Sequence, residues 1–123
     1  MNLTLLPDRL AVCRLEPNVP YPGWLPQAGL LSVTRTTDEL SVVCLESAVP
    51  AGVTMSGGWR ALQVEGPLDF SLVGVLAEFS GALAEAGVSI FAVSTYDTDY
   101  VLVREDQLSE ARHALAGAGH AVV

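Results

Sequence analysis

Short apolar runs broken by turn residues fill the first half of the chain, and helical spacing enters only after residue 66. Residues 3–6 and 9–15 are apolar and β-prone on either side of Pro7-Asp8, which predicts two strands joined by a tight turn. From Glu16 to Gly29 four prolines and two glycines interrupt the pattern, leaving room for about one helical turn near Trp24 to Gln27. Tyr21 and Trp24 in that stretch are expected to cover the core. Residues 30–35 and 40–45 are rich in β-branched side chains and flank Thr36-Thr37-Asp38-Glu39, the pattern of a second hairpin. Residues 47–58 lose periodicity and gain Pro50, Gly52, Gly57 and Gly58, the composition of a connection.

The second half reads strand, helix, strand, strand, helix, strand. Residues 61–65 form the first strand, and Gly66-Pro67 turns the chain toward a helix that starts near Ser71. Leu72, Leu76, Phe79, Leu83 and Ala86 then share one helical face, and Gly87 suits the left-handed position that ends a helix. Residues 88–93 and 100–103 predict the central hairpin. Asp106 is placed to cap a last helix with Leu108, Ala111 and Leu115 facing inward, Gly117 and Gly119 stop it, and residues 121–123 supply a final strand.

This order, from Trp59 to Val123, predicts an α+β, ferredoxin-like βαββαβ unit, an antiparallel sheet with its helices on one face. A weak repeat at a sixty-residue offset sets Ser32-Val33-Thr34 against Ala92-Val93-Ser94, Glu39 against Asp99 and Val42-Val43 against Leu102-Val103. Two lobes follow: an abbreviated one over residues 1–58 and a complete one over residues 59–123.

Charge and composition remove whole classes of function. Fourteen acids against six arginines and no lysine give a net charge of −8, and the arginines stand singly, so neither nucleic acid nor an anionic membrane is an expected partner. Without lysine there is no Schiff-base chemistry and no P-loop. No apolar run reaches the length of a membrane span, and the first eight residues lack a signal peptide's basic start and cleavage site, so the expected location is the cytoplasm. Cys13 and Cys44 lie in apolar strand-like runs without metal-site spacing and read as reduced core residues, a disulfide between them being the alternative. His113 and His120 have no nucleophile nearby in sequence and read as surface residues. No enzyme, metal or cofactor is expected.

Three segments carry a family resemblance: Gly66 through Gly74, Leu83 through Phe91, and Ser94-Thr95-Tyr96-Asp97-Thr98-Asp99-Tyr100 continuing to Glu105. They resemble the ACT domains of aspartate kinase regulatory regions, and most of all the small stand-alone tandem-ACT proteins of bacteria and the cytosolic arginine sensors of animals. The run from Thr34 to Cys44 is similar to the N-terminal signature of those bacterial proteins. The resemblance implies paired ACT-like lobes, no catalytic centre, and a free amino acid bound at a lobe or subunit interface.

A free amino acid presents a carboxylate and an ammonium, so its pocket needs N–H donors for one and oxygen acceptors for the other. The loop of Asp69, Phe70, Ser71, Leu72, Val73 and Gly74 precedes a helix whose unpaired N–H groups favour an anion. The hairpin residues Ser94, Thr95, Tyr96, Asp97, Thr98 and Asp99 would supply hydroxyls, an aromatic wall and carboxylates. Similarity to the arginine sensors carries over at Thr95, Tyr96 and Asp99, whose counterpart meets the ligand's positive end, whereas Leu72 stands where those sensors have an acid. Each position has a plainer reading: Asp97 and Asp99 as turn residues, Asp69 and Ser71 as helix caps, Phe70 as core. The expected function is a non-catalytic amino-acid-binding regulator, a homodimer through its open sheet edges. The alternative is an assembly module without a ligand.

Overall fold

A computed structural model of the chain describes residues 1–68 and 74–123. The elements are β1 (Asn2–Leu15), β2 (Ser32–Arg35), β3 (Leu40–Leu45), β4 (Thr54–Val64), α1 (Val75–Glu85), β5 (Ile90–Ser94), β6 (Asp99–Arg104), α2 (Leu108–Gly117) and β7 (Ala121–Val122). They divide into two compact units, Met1–Pro7 with Arg60–Val123, and Asp8–Trp59.

In the first of these units the strand order is β7-β1-β4-β6-β5. The βαββαβ pattern is present, with an N-terminal strand set between its first and last members. β7 runs parallel to β1, pairing Asn2 with Ala121 and Leu3 with Val122, and the amide of Glu65 bonds the Asn2 carbonyl at 2.9 Å on the other side. Alternation along β4 sends Leu62 and Val64 to the same face as Leu3, Val101 and Val103, and the helices cover that face with Phe79, Leu83, Ala111 and Leu115. All nine of these side chains are fully buried. The predicted stripe on α1 is the core stripe at Leu76, Phe79 and Leu83, but Ala86 is exposed past the end of the helix, and the helix begins at Val75, after Gly74. Asp106 does not cap α2; it lies in a short 3-10 turn before it.

In the second unit β3 is the middle strand, antiparallel to β2 and to β1. Its core is Ala11, Cys13, Leu40, Val42 and Cys44, with Trp24, Leu25 and Val53 packed against it. Tyr21 is exposed, and a plain turn replaces the expected helical turn near Trp24. Cys13 and Cys44 are free thiols. Burial pushes the Cys13 thiol from its ordinary 9.0 up to about 11, with Cys44 beside it adding to the effect. Cys44 is raised as well, by burial.

Two boundaries depart from expectation. Residues 2–15 form one continuous strand, not a hairpin turning at Pro7-Asp8. Pro7 lies between Leu5, which bonds the Val123 carbonyl, and Leu10, the first residue paired with β3, so its missing N–H falls where the ladder on that side is interrupted. The strand expected over residues 61–65 begins seven residues earlier, at Thr54. Gly57-Gly58 belongs to the strand and not to a linker. Gly58 takes a φ of 74° and its N–H is accepted by Glu46 Oε1 at 2.7 Å, while Glu46 Oε2 lies 3.4 Å from Arg9 Nε. A Cβ at Gly57 would meet that carboxylate and make it shift from its place between Gly58 and Arg9.

Candidate functional site

The hairpin between β5 and β6 closes with Ser94 opposite Asp99, leaving Thr95-Tyr96-Asp97-Thr98 as its tip. Thr95 and Thr98 lock the tip together. The Thr95 amide and hydroxyl both donate to the Thr98 carbonyl, at 2.9 and 3.1 Å, and the Thr98 amide donates back to the Thr95 hydroxyl at 3.4 Å. Thr98 is 5% exposed, and its own hydroxyl donates to the Val64 carbonyl at 2.6 Å. That bond ties the tip to the end of β4. Ser94, Thr95, Tyr96 and Asp97 remain exposed, Tyr96 at 79%, and Asp99 and Tyr100 are half-buried.

The chain leaving β4 meets the same tip. The Leu68 amide donates to the Asp97 carbonyl at 2.6 Å. A Cβ on Gly66 would stand 3.1 Å from that carbonyl and 3.2 Å from Thr98 Cβ, so glycine is what lets the two backbones approach this closely. The Gly66-Pro67 peptide is cis. Residues 66–68 lead directly into the predicted binding loop. Asp69, Phe70, Ser71, Leu72 and Val73 lie outside the described residues, and Gly74 beyond them caps α1 with a φ of 81°. The Gly74 carbonyl accepts the Glu78 amide at 2.9 Å, the first hydrogen bond of the helix.

The first hairpin repeats the second. Arg35 stands opposite Leu40 as Ser94 stands opposite Asp99, and the Thr36 amide bonds the Glu39 carbonyl at 2.9 Å while the Thr36 hydroxyl accepts from the amides of Asp38 and Glu39. The two hairpins therefore correspond at an offset of 59, not sixty. Buried Val42-Val43-Cys44 then falls on buried Val101-Leu102-Val103.

His120 departs from expectation. It is buried, whereas His113 is exposed. The signal was available, since His120 follows Gly119 after α2 as buried Val88 follows Gly87 after α1. Among the described residues no group of three or more His, Cys, Asp or Glu side chains is placed to hold a metal ion, and no helix is long and apolar enough to cross a membrane.

Residues 55–117 match the family model described as an ACT domain, and residues 8–52 match a separate model described as an N-terminal domain. The chain belongs to the ACT domain family. A structure from Agobacterium tumefaciens is 36% identical at a TM-score of 0.94, covering 99% of this chain and 91% of its own. The regulatory subunit of aspartate kinase from Thermus thermophilus shares the fold at a TM-score of 0.63 and 14% identity, over 90% of this chain and 93% of that one. The cytosolic arginine sensor for mTORC1 subunit 1 of Rattus norvegicus is 40% identical over 60 residues, which is 46% of this chain and 18% of the sensor. Its Homo sapiens counterpart is 36% identical over 66 residues, 51% of this chain and 20% of that protein. The ACT match thus spans about a fifth of the curated relatives' length.

Proposed function

We propose that this chain is a non-catalytic regulatory protein that binds a free amino acid through its ACT unit, at the edge of that unit or where two subunits meet. The observation that carries the proposal is the bond from Leu68 to the Asp97 carbonyl, with Gly66 closing the gap. It sets the chain leading into residues 69–73 beside the exposed hairpin residues Ser94 to Asp97. On this reading the ligand carboxylate meets the N–H groups ahead of α1, and Asp97 and Asp99 attract its ammonium or a cationic side chain. Thr95 and Tyr96 border it. Similarity to an arginine sensor supports the class of ligand, while Leu72 argues against taking arginine as the ligand itself.

The tandem reading belongs to the same proposal. Two hairpins with one hydrogen-bonding pattern support a second, abbreviated ACT-like lobe in the first half of the chain. A homodimer in the cytoplasm fits a regulator of this kind, which responds to a ligand only as far as the ligand prefers one arrangement over another.

Thermal unfolding of the full chain with each of the twenty common amino acids at about 10 mM tests this. A ligand at a hundred times its dissociation constant adds about 2.7 kcal/mol, a shift of several degrees for a protein of this size. One or two chemically related amino acids are expected to produce it. A second reading, an assembly module without a ligand, is favoured by β5 ending the strand order, since an edge strand can pair with another protein. It predicts no shift from any amino acid.

A further inference from the structure

Between β1 and β2 the chain runs through residues 16–31 without helix or strand, a longer passage than most connections in a compact domain. Most of its large apolar side chains turn inward: Val19, Trp24, Leu25 and Leu31 pack on the core of Ala11, Cys13, Leu40, Val42 and Cys44. Tyr21 does not. It is 62% exposed, and among the described residues it has no hydrogen-bond, ion-pair or ring partner. Tyr96, the other strongly exposed tyrosine, does have such an interaction.

The loop that presents Tyr21 is pinned on both sides. The Val19 amide donates to the Glu16 carbonyl and the Leu25 amide to the Pro22 carbonyl, both at 3.4 Å, so two turns bracket residues 19–22. Arg35 Nη1 donates to the Pro17 carbonyl, and Arg14 joins the foot of the loop to the first hairpin, its Nη1 3.3 Å from Glu16 Oε1 and its Nη2 donating to the Asp38 carbonyl at 3.0 Å. Residues 19–22 themselves read Val-Pro-Tyr-Pro and are neither strand, helix nor turn. Each proline ring sets its own φ near about −65° and drives the residue before it, Val19 or Tyr21, into the extended region. Covalent sterics thus hold all four residues close to polyproline II, which turns once in about three residues. Val19 and Pro22 then share one edge, and both are half-buried; Pro20 and Tyr21 occupy the other edges, and both are exposed.

We propose that Pro20 and Tyr21 form a docking ridge for a partner protein whose groove is walled by aromatic side chains. Grooves of that kind recognise polyproline II segments, and a segment already fixed in that shape gives up little entropy on binding. Tyrosine adds a large contact area at small rotamer cost. Charge sets the rim of the groove: the chain carries a net charge of −8, and the Glu16 carboxylate at the foot of the ridge is 77% exposed, so a basic rim is complementary and a second copy of the chain is not. The ridge lies outside the ACT unit's hairpin, and the proposal does not depend on amino-acid binding.

The test uses the isotope-labelled full chain, titrated with two purified proline-binding domains whose grooves are aromatic, a WW domain and an SH3 domain. Saturable amide shifts centred on Val19, Tyr21 and Gly23 are expected with at least one of them. Tyr21→Ala and Pro20→Ala should each weaken that binding about tenfold or more and leave the thermal midpoint within about a degree or two, since both side chains are exposed. Tyr21→Phe, which keeps the ring, should bind much as the wild type does. Absence of shifts with both domains overturns the proposal, as do shifts that survive Tyr21→Ala. Concentration-dependent self-association abolished by Tyr21→Ala would assign the ridge to a second copy and overturn it too.

Discussion

A single hydroxyl fastens the hairpin to the strand beside it. Thr98 Oγ1 reaches the Val64 carbonyl at 2.6 Å from a buried position, so Thr98→Val keeps the shape and leaves a buried carbonyl without that donor. A loss of about 1–3 kcal/mol is expected in urea unfolding, with Thr98→Ser retaining most of the stability. Equal midpoints for the three proteins would show that the bond contributes nothing. Cys13 supplies a second measurement at this scale. Its thiol ordinarily titrates near 9.0 and in the folded chain near about 11. Below the lower value both states hold the proton. Between the two the unfolded chain releases a proton that the folded chain keeps, so the stabilising preference for the folded state is lost as pH rises through that window. The urea midpoint should fall from about pH 9 to 11, less steeply in Cys13→Ala; parallel curves would rule the thiol out as the cause. The sequence marked Thr98 and Cys13 by residue type, and type alone separates neither a ligand-facing hydroxyl from a tie to Val64 nor a surface histidine from the buried His120.

At the scale of the element, two glycines, one within α1 and one just past its end, should respond oppositely to the same substitution. Gly81 is mid-helix with open space around its missing side chain, so Gly81→Ala should add about 0.5–1 kcal/mol. Gly87 also has open space, but its φ of 74° costs an L-residue about 1–2 kcal/mol, so Gly87→Ala should destabilise by roughly that amount. The comparison is made by thermal unfolding, and a loss at Gly81 or a gain at Gly87 would contradict the assigned helix ends. Gly87 was legible because a helical stripe stopped against it. β1 was not, because Pro7-Asp8 is a turn signal by composition, and only the partners of the strand show that Pro7 sits where no amide is needed. The repeat was seen one residue out of register. A one-residue slip exchanges the two faces of a strand, but Val42, Val43, Leu102 and Val103 are all buried, so neither residue similarity nor burial reveals the slip, and cross-strand pairing was needed to align the hairpins.

At the scale of the molecule, the ACT unit is not a contiguous stretch of chain. Its sheet needs residues 2–7: Leu3 is fully buried in the core, the Asn2 carbonyl accepts the Glu65 amide at 2.9 Å, and the Leu3 carbonyl accepts the Val123 amide at 2.8 Å. The resemblance that made the fold readable is concentrated in residues 66–105, and nothing in the apolar run at the N-terminus says that its place lies between the first and last strands of a unit that resumes more than fifty residues later. That arrangement has a sharp consequence. A fragment of residues 60–123 carries the βαββαβ pattern with only the last five residues of β4, yet without β1 it leaves β4 and β7 unpaired with each other and the floor of the core open over Leu62, Phe79 and Leu115. It should lack a cooperative thermal transition and dispersed amide resonances. In the full chain, Leu3→Ala should cost about 2–5 kcal/mol, as expected for a buried leucine in a packed core. Hydrogen exchange should locate the loss in α1, α2 and β6, the elements that share its cluster, and not in the first turn of the chain alone. If the fragment folds by itself, the N-terminal strand is an accessory to the sheet; if it does not, the strand is part of the domain, and the core is one that residues 2–7 and 60–123 build together.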